Sequence, residues 1–520
     1  MKKLDSSHLI RKLRLMLGSI IITIIYFTNV NAQNSANINL NNTHQIIRGF
    51  GAANILPWRP DMTQNEINKA FGTGDGQIGF SILRLRLPSD ENSFSINLPT
   101  AKAAHSMGVT LIASPWSPPA SMKTNNNIVG GELMESRYDD FAAYLKNYAD
   151  YMSANDAPIY AISVQNEPDV TVTYESCDYN PSQMLKFVKE NAQSIGTKVI
   201  APESFQFRRN LSDPLLNDST ACANFDILGG HIYGGGLATY PLAESKGKEI
   251  WMTEYLVLET DWGNNLAVGK GVLDCLNDGM SAYVWWYIVR FYGPIYDEGT
   301  DPRTPAGAVK GEISKRGYVM SNFARFIRPG YYRIDADVNP QAGIYLSAYK
   351  SDSTIVIVAI NNSSQNKTQT FNIENGTAAK FKPYVTTQTK NCIRETDIPV
   401  TNNSFIATLE ASSITTFVSE ENIVSVGESS AIPKSYNLFQ NYPNPFNPST
   451  KINYSIPRSG YITLKVYNLL GVEVATLFEG VRQEGNYTAT FNGSTLASGV
   501  YFYRMTANNF VETKKLMLLK

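Results

Sequence analysis

Two glutamates stand at the ends of apolar runs, where an unpaired charge is costly to bury. Glu167 closes the run that begins at Ile159, and Glu254 closes the run that begins at Glu249. A carboxylate in such a place is normally paired or used in chemistry. Two carboxyls about 5–5.5 Å apart can hydrolyse a glycosidic bond with retention, since one protonates the leaving oxygen and the other attacks the anomeric carbon. Glu167 and Glu254 are therefore the candidate catalytic pair.

Several polar residues near these glutamates have types that would position them. Arg84, at the end of the second apolar run, could hold Glu254 ionised through a charge-assisted hydrogen bond. His231 and Tyr233 end the sixth run, from which the imidazole or the hydroxyl could orient Glu254. Asn166 could bind a sugar 2-hydroxyl, a contact that strengthens in the transition state. A structural ion pair for Arg84 and a core histidine for His231 remain open alternatives.

Aromatic side chains at the run ends could stack on sugar rings. Trp116 and Trp286 end the third and eighth runs and are candidate sugar platforms. Trp285 alternates to the other face of its strand and is expected to pack in the interior. Aromatic residues also fill cores, so their number alone is a weak indication of a carbohydrate ligand.

These residues fall on a repeating pattern between residues 48 and 328, in which eight apolar runs alternate with amphipathic stretches such as 138–152, 181–194 and 266–279. Nearly continuous apolar strands, each followed by a helix, predict an α/β fold, a closed parallel (β/α)8 TIM barrel with its active site at the strand ends. An open doubly wound sheet is the alternative, but no glycine-rich phosphate turn follows the first run. The runs are 49–55, 81–87, 110–116, 159–165, 198–202, 227–233, 249–255 and 282–288.

The pattern of residue types changes after residue 328. Alternating strand patterns with Asn and Ser turns predict a side β-sandwich, which the stretch before the barrel could extend by one strand. A Ser/Glu-rich linker then leads to a C-terminal β-sandwich that ends in a Lys-rich tail. The expected divisions are 1–32 (signal peptide), 33–47 (strand of the side sandwich), 48–328 (barrel), 329–420 (side sandwich), 421–434 (linker) and 435–520 (C-terminal domain).

The N-terminus predicts export. Basic residues from Lys2 to Arg14 precede an apolar run over 15–27, and a small-residue cleavage site ends at Ala32. This layout is typical of a secretory signal peptide. A membrane anchor is the alternative, although the run is short for a spanning helix. We expect a secreted mature chain that begins near Gln33 and contains no integral membrane segment.

Composition argues against several other classes. A net charge of −1 and an apolar content of 43% do not favour a nucleic-acid partner or disorder. The four cysteines lack the spacing of a zinc site, so we expect no metal and no cofactor. Export would permit a disulfide, preferably Cys177 with Cys222, with buried free thiols as an equal alternative. We expect a monomer.

The chain from about residue 36 to 420 resembles glycoside hydrolase family 30, in its bacterial glucuronoxylanase branch, subfamily 8. The order and spacing of eight motifs carry the resemblance throughout this region. They are IRGFG (47–51), FSILR (80–84), ASPWSPP (113–119), AISVQNEPD (161–169), VIAPESF (199–205), WMTE (251–254), VWWYI (284–288) and ISKRGY (313–318).

The resemblance implies a barrel with a side β-sandwich that cleaves the β-1,4-xylose chain of glucuronoxylan, with Glu167 as acid/base and Glu254 as nucleophile. In that branch an arginine after the eighth strand pairs with the carboxylate of 4-O-methylglucuronate side groups and directs cleavage. Arg290 occupies that position, with Tyr292 beside it as a further substrate-binding candidate. A guanidinium fork matches a carboxylate bidentately. The family usually has a tyrosine where this chain has Leu256, so an endo-xylanase without glucuronate dependence is an alternative.

Two further alternatives remain for the activity. The same scaffold could carry another family 30 β-glycosidase or β-glucanase activity. A protein of another class, a non-catalytic surface protein that binds polysaccharide, would not need both glutamates. Loss of activity on replacement of Glu254 would separate the enzyme from the binding protein.

The C-terminal domain resembles the sorting domain of proteins exported by the type IX secretion system. The motifs NYPNPFNPST (441–450) and GVYFY (499–503) carry this resemblance. It implies an export address that is read by the type IX machinery, and a final location outside the cell or on its outer surface. A small carbohydrate-binding or spacer domain is the alternative.

Overall fold

The computed structural model describes residues 34–236, 238–420, 435–441, 443–482, 484–507 and 510–519. The expected signal peptide (1–32) and linker (421–434) lie outside the described residues. The chain divides into two compact units, one on either side of that linker segment.

The first unit contains a closed parallel barrel. After β1 (Ser35–Ile46), which lies outside it, eight strands pair in sequence order and the last pairs back with the first. The predicted TIM barrel is confirmed. Seven of the eight apolar runs contain one of its strands, and the run 198–202 stops two residues before the end of its strand at Ser204. The strands are β2 (Gly49–Asn54), β3 (Ile82–Leu87), β4 (Thr110–Pro115), β5 (Ile159–Ser163), β6 (Lys198–Ser204), β7 (Ile227–His231), β8 (Glu249–Glu254) and β9 (Ala282–Tyr287).

The barrel strands are apolar because both of their faces are covered. One set of side chains fills the barrel interior, and the alternate set packs against the surrounding helices. Gly51 permits a close approach of β2 to β3, since a Cβ atom there would lie 2.1 Å from the carbonyl oxygen of Ile82. The interior cluster is formed by Ile82, Ile112, Ala161, Ile200, Ile227, Trp251, Ala282 and Val284.

Amphipathic helices surround the barrel. The longest buries Phe141, Leu145, Tyr148 and Met152, whose spacing of three and four residues forms one apolar face. The helices are α1 (Gln64–Phe71), α2 (Leu98–Ser106), α3 (Tyr138–Ala154), α4 (Pro181–Glu190), α5 (Arg209–Asn217), α6 (Ser219–Asn224), α7 (Pro241–Ser245), α8 (Trp262–Asn277) and α9 (Lys315–Ala324), with 3-10 turns at Glu91–Asn97, Ala120–Met122, Glu135–Arg137 and Ala192–Ile195.

A ten-stranded sheet follows the barrel in the same unit. Strand β1, which precedes the barrel in the chain, also belongs to this sheet. It pairs antiparallel with the strand Tyr332–Ala336 and parallel with the strand Lys367–Glu374. The sheet surrounds an apolar core in which Phe371 stacks on Phe405 at 4.6 Å. The other nine strands are β10 (Tyr332–Ala336), β11 (Ile344–Lys350), β12 (Ile355–Asn361), β13 (Lys367–Glu374), β14 (Lys380–Thr386), β15 (Ile393–Arg394), β16 (Ile398–Pro399), β17 (Ser404–Leu409) and β18 (Ser413–Ser419).

Helices α8 and α9 connect this sheet to the barrel. The indole N–H of Trp262 donates to the carbonyl of Ser412 at 3.0 Å, and the hydroxyl of Thr416 donates to the carbonyl of Asn322 at 2.6 Å. Gly269 lets Ile414 approach α8 so closely that a Cβ atom there would lie 2.5 Å from its Cδ1. The sheet therefore braces the helices that flank β8 and β9.

The second unit consists of a three-stranded and a four-stranded sheet around one apolar core. The sequence predicts a Lys-rich tail after residue 507, but this segment is a strand that pairs along its whole length with the preceding one. Its alternate residues Leu516 and Leu518 are buried in the apolar core, whereas Lys515 is exposed. The strands are β19 (Asn437–Leu438), β20 (Ser449–Ile456), β21 (Gly460–Tyr467), β22 (Glu473–Arg482), β23 (Gly485–Asn492), β24 (Gly499–Ala507) and β25 (Phe510–Leu518).

The cysteines are free thiols, so the preferred disulfide between Cys177 and Cys222 is wrong. Cys177 is fully buried in the segment after β5, where burial raises the pKa of its thiol, and Cys222 lies on α6. Among the described residues, no helix is long and apolar enough to cross a membrane.

Candidate active site

The carboxyl ends of the barrel strands bring the candidate residues to one opening. Glu254 is the last residue of β8, and His231 is the last residue of β7. The expectation that Glu167 and Arg84 also end their strands is wrong. Glu167 lies in a turn beyond β5, where it adopts a left-handed φ of 47°, and Arg84 lies within β3. The turn that follows β5 brings Glu167 to the opening, although the strand itself ends at Ser163.

The two glutamates face each other across the opening. A carboxylate oxygen of Glu167 and one of Glu254 lie within 4.8 Å of each other. Retaining glycosidases place their carboxyls about 5–5.5 Å apart, whereas inverting ones leave about 6.5–9.5 Å for a water molecule. Both residues are only 6% exposed. The spacing is that of a retaining pair.

Both oxygens of Glu254 are held by hydrogen bonds. Arg84 Nη1 donates to Oε2 at 2.7 Å, and the hydroxyl of Tyr233 donates to Oε1 at 2.9 Å. Burial raises the pKa of the Glu254 carboxyl, while the positive charges of His231 and Arg84 oppose that rise. These contacts fix the direction in which the carboxylate can attack.

Glu167 is held by a different pair of residues. Nδ1 of His231 lies 2.9 Å from Oε1, and the hydroxyl of Tyr174 donates to Oε2 at 3.2 Å. Of the two side chains that could orient Glu254, the hydroxyl of Tyr233 makes the hydrogen bond. The imidazole of His231 contacts Glu167 instead, and its Nε2 lies 4.0 Å from Glu254. Burial lowers the pKa of His231, but the charge of Glu254 and its hydrogen bonds outweigh this and raise it to about 9.

Glu167, His231 and Glu254 are also the types of residue that bind metals. Their ligand atoms all lie within 4.8 Å of one another. In this arrangement Nδ1 of His231 contacts Glu167, and Arg84 and Tyr233 donate to the two oxygens of Glu254, so the ligand atoms already have partners within the protein. The arrangement is better suited to an ion-paired carboxyl pair than to metal binding.

Arg84 links the two sides of the opening. It is fully buried, and its Nη2 donates to Oδ1 of Asn166 at 2.6 Å and to Oε1 of Glu203 at 3.1 Å. Because Oδ1 of Asn166 accepts from Arg84, the amide nitrogen is the atom left for donation to a sugar hydroxyl. Burial lowers the pKa of Arg84, but the charges of Glu203 and Glu254 outweigh this and raise it.

Glu203 is a third carboxylate that the sequence reasoning missed. It is fully buried near the end of β6, in contact with Arg84 and with His231 Nε2 at 3.7 Å. Burial raises its pKa, but the positive charges of Arg84 and His231 outweigh this and lower it to about 2. An acidic residue at the carboxyl end of a barrel strand was the available signal, the same one that indicated Glu254.

Aromatic rings form the exposed wall of the opening. Trp116 is only 2% exposed and lies beneath Trp58 and Trp286, at centroid distances of 6.1 and 5.6 Å. Trp58 is 43% exposed and Tyr174 is 42% exposed, so they offer more surface to a ligand than Trp116 does. The sequence reasoning did not identify Trp58 or Tyr174, because they lie in loops that follow β2 and β5 rather than on the strands.

Arg290 lies on the segment after β9. Its side chain is 30% exposed, and Nη1 donates to Oδ2 of the buried Asp297 at 3.3 Å. Arg59 contacts the same carboxylate oxygen at 3.4 Å. Burial raises the pKa of Tyr292 to about 12, although the adjacent Arg290 opposes this through its charge and a hydrogen bond. Asp297 therefore orients two guanidiniums, and Arg290 keeps part of its surface open to an anion.

Two family models match separate parts of the chain. Residues 60–206 match the glycosyl hydrolase family 30 TIM-barrel domain. Residues 440–519 match the secretion system C-terminal sorting domain.

Known proteins are similar over about three quarters of the chain. The chain is 42% identical to the glucuronoxylanase XynC of Bacillus subtilis over 406 residues, which cover 75% of this chain and 93% of that protein. The solved structure of a family 30 subfamily 8 xylanase from Clostridium acetobutylicum is 38% identical with a TM-score of 0.69, covering 75% of this chain and all of that one (100%). An endoxylanase from Clostridium papyrosolvens is 40% identical with a TM-score of 0.66, covering 74% and 100%.

Proposed function

Since the chain belongs to glycoside hydrolase family 30, we propose that it is a retaining endo-β-1,4-xylanase that cleaves glucuronoxylan. The observation that carries the reaction is the facing pair Glu167 and Glu254, with carboxylate oxygens within 4.8 Å. The 42% identity to a protein named a glucuronoxylanase supports the substrate.

The reaction proceeds in two displacements at this pair. Glu167 protonates the glycosidic oxygen while Glu254 attacks the anomeric carbon, which releases the leaving chain and forms a glycosyl–enzyme ester. The Glu167 carboxylate then takes a proton from a water molecule, whose oxygen displaces Glu254 with a second inversion. The amide of Asn166 donates to the 2-hydroxyl of the sugar, a contact that strengthens as positive charge develops on the ring. Trp58 and Trp286 supply faces on which neighbouring xylose rings stack.

Arg290 recognises the acidic side group of the substrate. Its partly exposed guanidinium offers charge-assisted hydrogen bonds to the glucuronate carboxylate, with Tyr292 beside it. An uncharged side group gains none of this energy. Cleavage is therefore placed relative to each glucuronate.

The protein is exported, and it is either secreted or attached to the cell surface, because residues 440–519 match a secretion sorting domain. We further propose that residues 1–32 are removed as a signal peptide and that the type IX machinery reads the C-terminal domain. We infer that the enzyme acts as a monomer, since residues of one chain supply both glutamates and the contacts that hold them.

Hydrolysis of glucuronoxylan followed by proton NMR and mass spectrometry tests the proposal. The β-anomer should form first, and each product should carry one glucuronate at a fixed distance from its reducing end. Initial formation of the α-anomer would contradict retention, and intact xylan after long incubation would contradict the activity itself.

One observation favours a second candidate, an endo-xylanase without glucuronate dependence. Asp297 already occupies part of the Arg290 guanidinium. Equal rates on glucuronoxylan and on arabinoxylan would favour this second reading, whereas a clear preference for the glucuronate-decorated polymer supports the first.

A further inference from the structure

Glu203 accepts a hydrogen bond from Arg84 and lies within ion-pair distance of His231, the two cations that hold the catalytic glutamates. Its Oε1 lies 3.1 Å from Nη2 of Arg84 and 3.7 Å from Nε2 of His231. Arg84 in turn donates to Glu254, and His231 contacts Glu167 through its other ring nitrogen. The buried carboxylate of Glu203 is thus linked to each catalytic glutamate through one intervening side chain.

The backbone joins Glu203 to Glu167 as well. Glu203 has a left-handed φ of 57° and Glu167 one of 47°, and neither is a glycine. The N–H of Glu167 donates to the carbonyl of Glu203 at 3.1 Å, which connects the two strained residues. Strain of this kind persists only where surrounding contacts impose it, and it is concentrated at functional sites.

The charged groups at this site, Glu203 included, are two cations and three carboxyls. The groups that face Glu203 are Arg84 from β3, the hydroxyl of Ser163 from β5, and His231 from β7, with Glu254 of β8 and Glu167 on the far sides of the two cations. Two buried cations are therefore surrounded by three carboxyls. If all three were ionised, one buried negative charge would lack a partner, which is costly.

The environments of these groups decide which of them hold charge. Burial raises the pKa of Glu203, but Arg84 and His231 lower it to about 2, so this carboxylate is ionised throughout the working range. The surrounding carboxyls outweigh burial and raise the pKa of His231 to about 9, so the imidazole is a cation at neutral pH. One further negative charge balances the site, and the remaining carboxyl keeps its proton.

Resting on the proposed function, we propose that Glu203 is a positioning residue, the permanent counter-ion of Arg84 and His231, and that it leaves the catalytic pair with one shared proton. A retaining glycosidase needs this state before each turnover, with one carboxyl protonated and the other ionised. Glu203 touches neither the substrate nor the reacting atoms. It acts through the two cations.

Replacement of Glu203 by Gln tests the proposal through the pH profile of kcat/KM on xylan. Without this negative charge the site has an excess positive charge, so the pair loses its shared proton and His231 loses its own proton at lower pH. The basic side of the profile should move to lower pH by about one unit or more. Glu203→Asp keeps the charge, so the basic side should stay in place even if kcat falls because the contacts lengthen.

A purely structural role predicts a different result. Glu203→Gln would then lower the melting temperature and reduce kcat/KM by the same factor at every pH, with an unmoved profile, and the proposal would be overturned. If wild-type enzyme does not hydrolyse xylan at all, the proposed function fails, but the proton count can still be measured.

That count comes from carbon-13 NMR of wild-type protein labelled at the glutamate carboxyls, with Glu203→Asp used to assign Glu203. The expected result is one ionised Glu203 down to about pH 3 and one proton held by the Glu167 and Glu254 pair near pH 6. A protonated Glu203 at pH 6, or a pair that holds two protons or none, overturns the proposal. This measurement also decides the question if the Gln variant does not fold.

Discussion

The floor of the active site and its rim hold their side chains in opposite ways. Floor side chains are at most 8% exposed, and the hydrogen bonds among them measure 2.6–3.1 Å. On the rim, Arg290 is 30% exposed and Trp58 43% exposed, and the hydrogen bonds of Tyr174 and Arg290 measure 3.2 and 3.3 Å. The floor comprises Arg84, Asn166, Glu167, Glu203, His231 and Glu254, and the rim comprises Trp58, Tyr174, Trp286 and Arg290.

This difference indicates that the floor carries out the reaction and that the rim selects the substrate. The floor is complete before substrate arrives, so its charges need no reorganisation during the reaction. The rim leaves surface and hydrogen-bonding capacity open, which only a ligand can fill. Changes in the floor should therefore affect every substrate alike, and changes in the rim should alter the ranking of substrates.

The largest effect is expected for Glu254→Gln, which removes the attacking oxygen and keeps the size of the side chain. The rate constant kcat should fall by at least about 10⁴-fold on decorated and undecorated xylan alike. Glu249→Gln makes the same chemical change at the other end of β8, where Glu249 pairs with Arg48, and should leave kcat within about threefold, because a partly exposed ion pair contributes little. Steady-state kinetics on both substrates measures this, and comparable losses in the two variants would refute the separation.

The floor was also the part of the site that the sequence predicted best. Strand ends of a parallel barrel meet at one opening, so Glu254 and His231 could be placed together from the strand pattern alone. Arg84 was expected beside them, although it lies within β3 and not at its end. The identity of their contacts could not be predicted, because a strand pattern does not say which ring nitrogen of His231 reaches which glutamate. Glu203 was missed because the predicted run ended at Pro202, one residue before it, whereas the strand continues to Ser204.

A second floor prediction concerns stability. The folded-state pKa of His231 is about 9, above its ordinary 6.5, so the imidazolium stabilises the fold fully below about pH 6.5 and this contribution is lost as the pH rises through 9. The difference corresponds to about 3 kcal/mol in the free energy of unfolding. Urea unfolding at pH 6 and pH 10 should therefore show a larger loss for wild type than for His231→Gln.

An exposed histidine provides the control for that measurement. His44 pairs with Asp335 on the surface, with 38% of its side chain exposed. His44→Gln should keep the pH dependence of wild type, because exposed ion pairs contribute little. The buried-cation account is wrong if His231→Gln also keeps the wild-type dependence.

On the rim, Arg290→Ala should change the choice of substrate. Loss of a charge-assisted contact costs about 1.5–3 kcal/mol, so kcat/KM on glucuronoxylan should fall about 10–150-fold, with little change on undecorated xylo-oligosaccharides. Arg303 is a matched control, since its guanidinium lies 4.6 Å from the ring of Phe291, which Arg290 also approaches at 5.8 Å. Arg303→Ala should affect both substrates by less than about threefold, because Arg303 is 54% exposed and bound to Asp301. Equal losses of kcat/KM on both substrates in Arg290→Ala would show that Arg290 contributes to catalysis and not to the choice of substrate.

The rim was harder to predict because loops, unlike strands, have no fixed direction in the sequence pattern. Arg290 was indicated only by the family resemblance, and nothing in its neighbourhood predicted that Asp297 would occupy it from seven residues further on. Trp58 and Tyr174 lie far apart in the chain, yet their rings meet at 6.2 Å. Only the folded loops bring them to the same opening.

The smallest effect compares two tyrosines that each bind one catalytic glutamate. Tyr174 is 42% exposed and donates to Glu167 at 3.2 Å, so Tyr174→Phe leaves an oxygen that water can reach, and kcat should fall about 2–10-fold, equivalent to about 0.5–1.5 kcal/mol. Tyr233 is part-buried and donates to Glu254 at 2.9 Å, so Tyr233→Phe leaves a carboxylate oxygen with poorer access to water, and kcat should fall about 10–150-fold, equivalent to about 1.5–3 kcal/mol. Both variants keep their rings, so packing is matched and kcat on one xylan substrate measures the two hydroxyls. If Tyr174→Phe is the more damaging change, access to water does not govern the strength of these contacts.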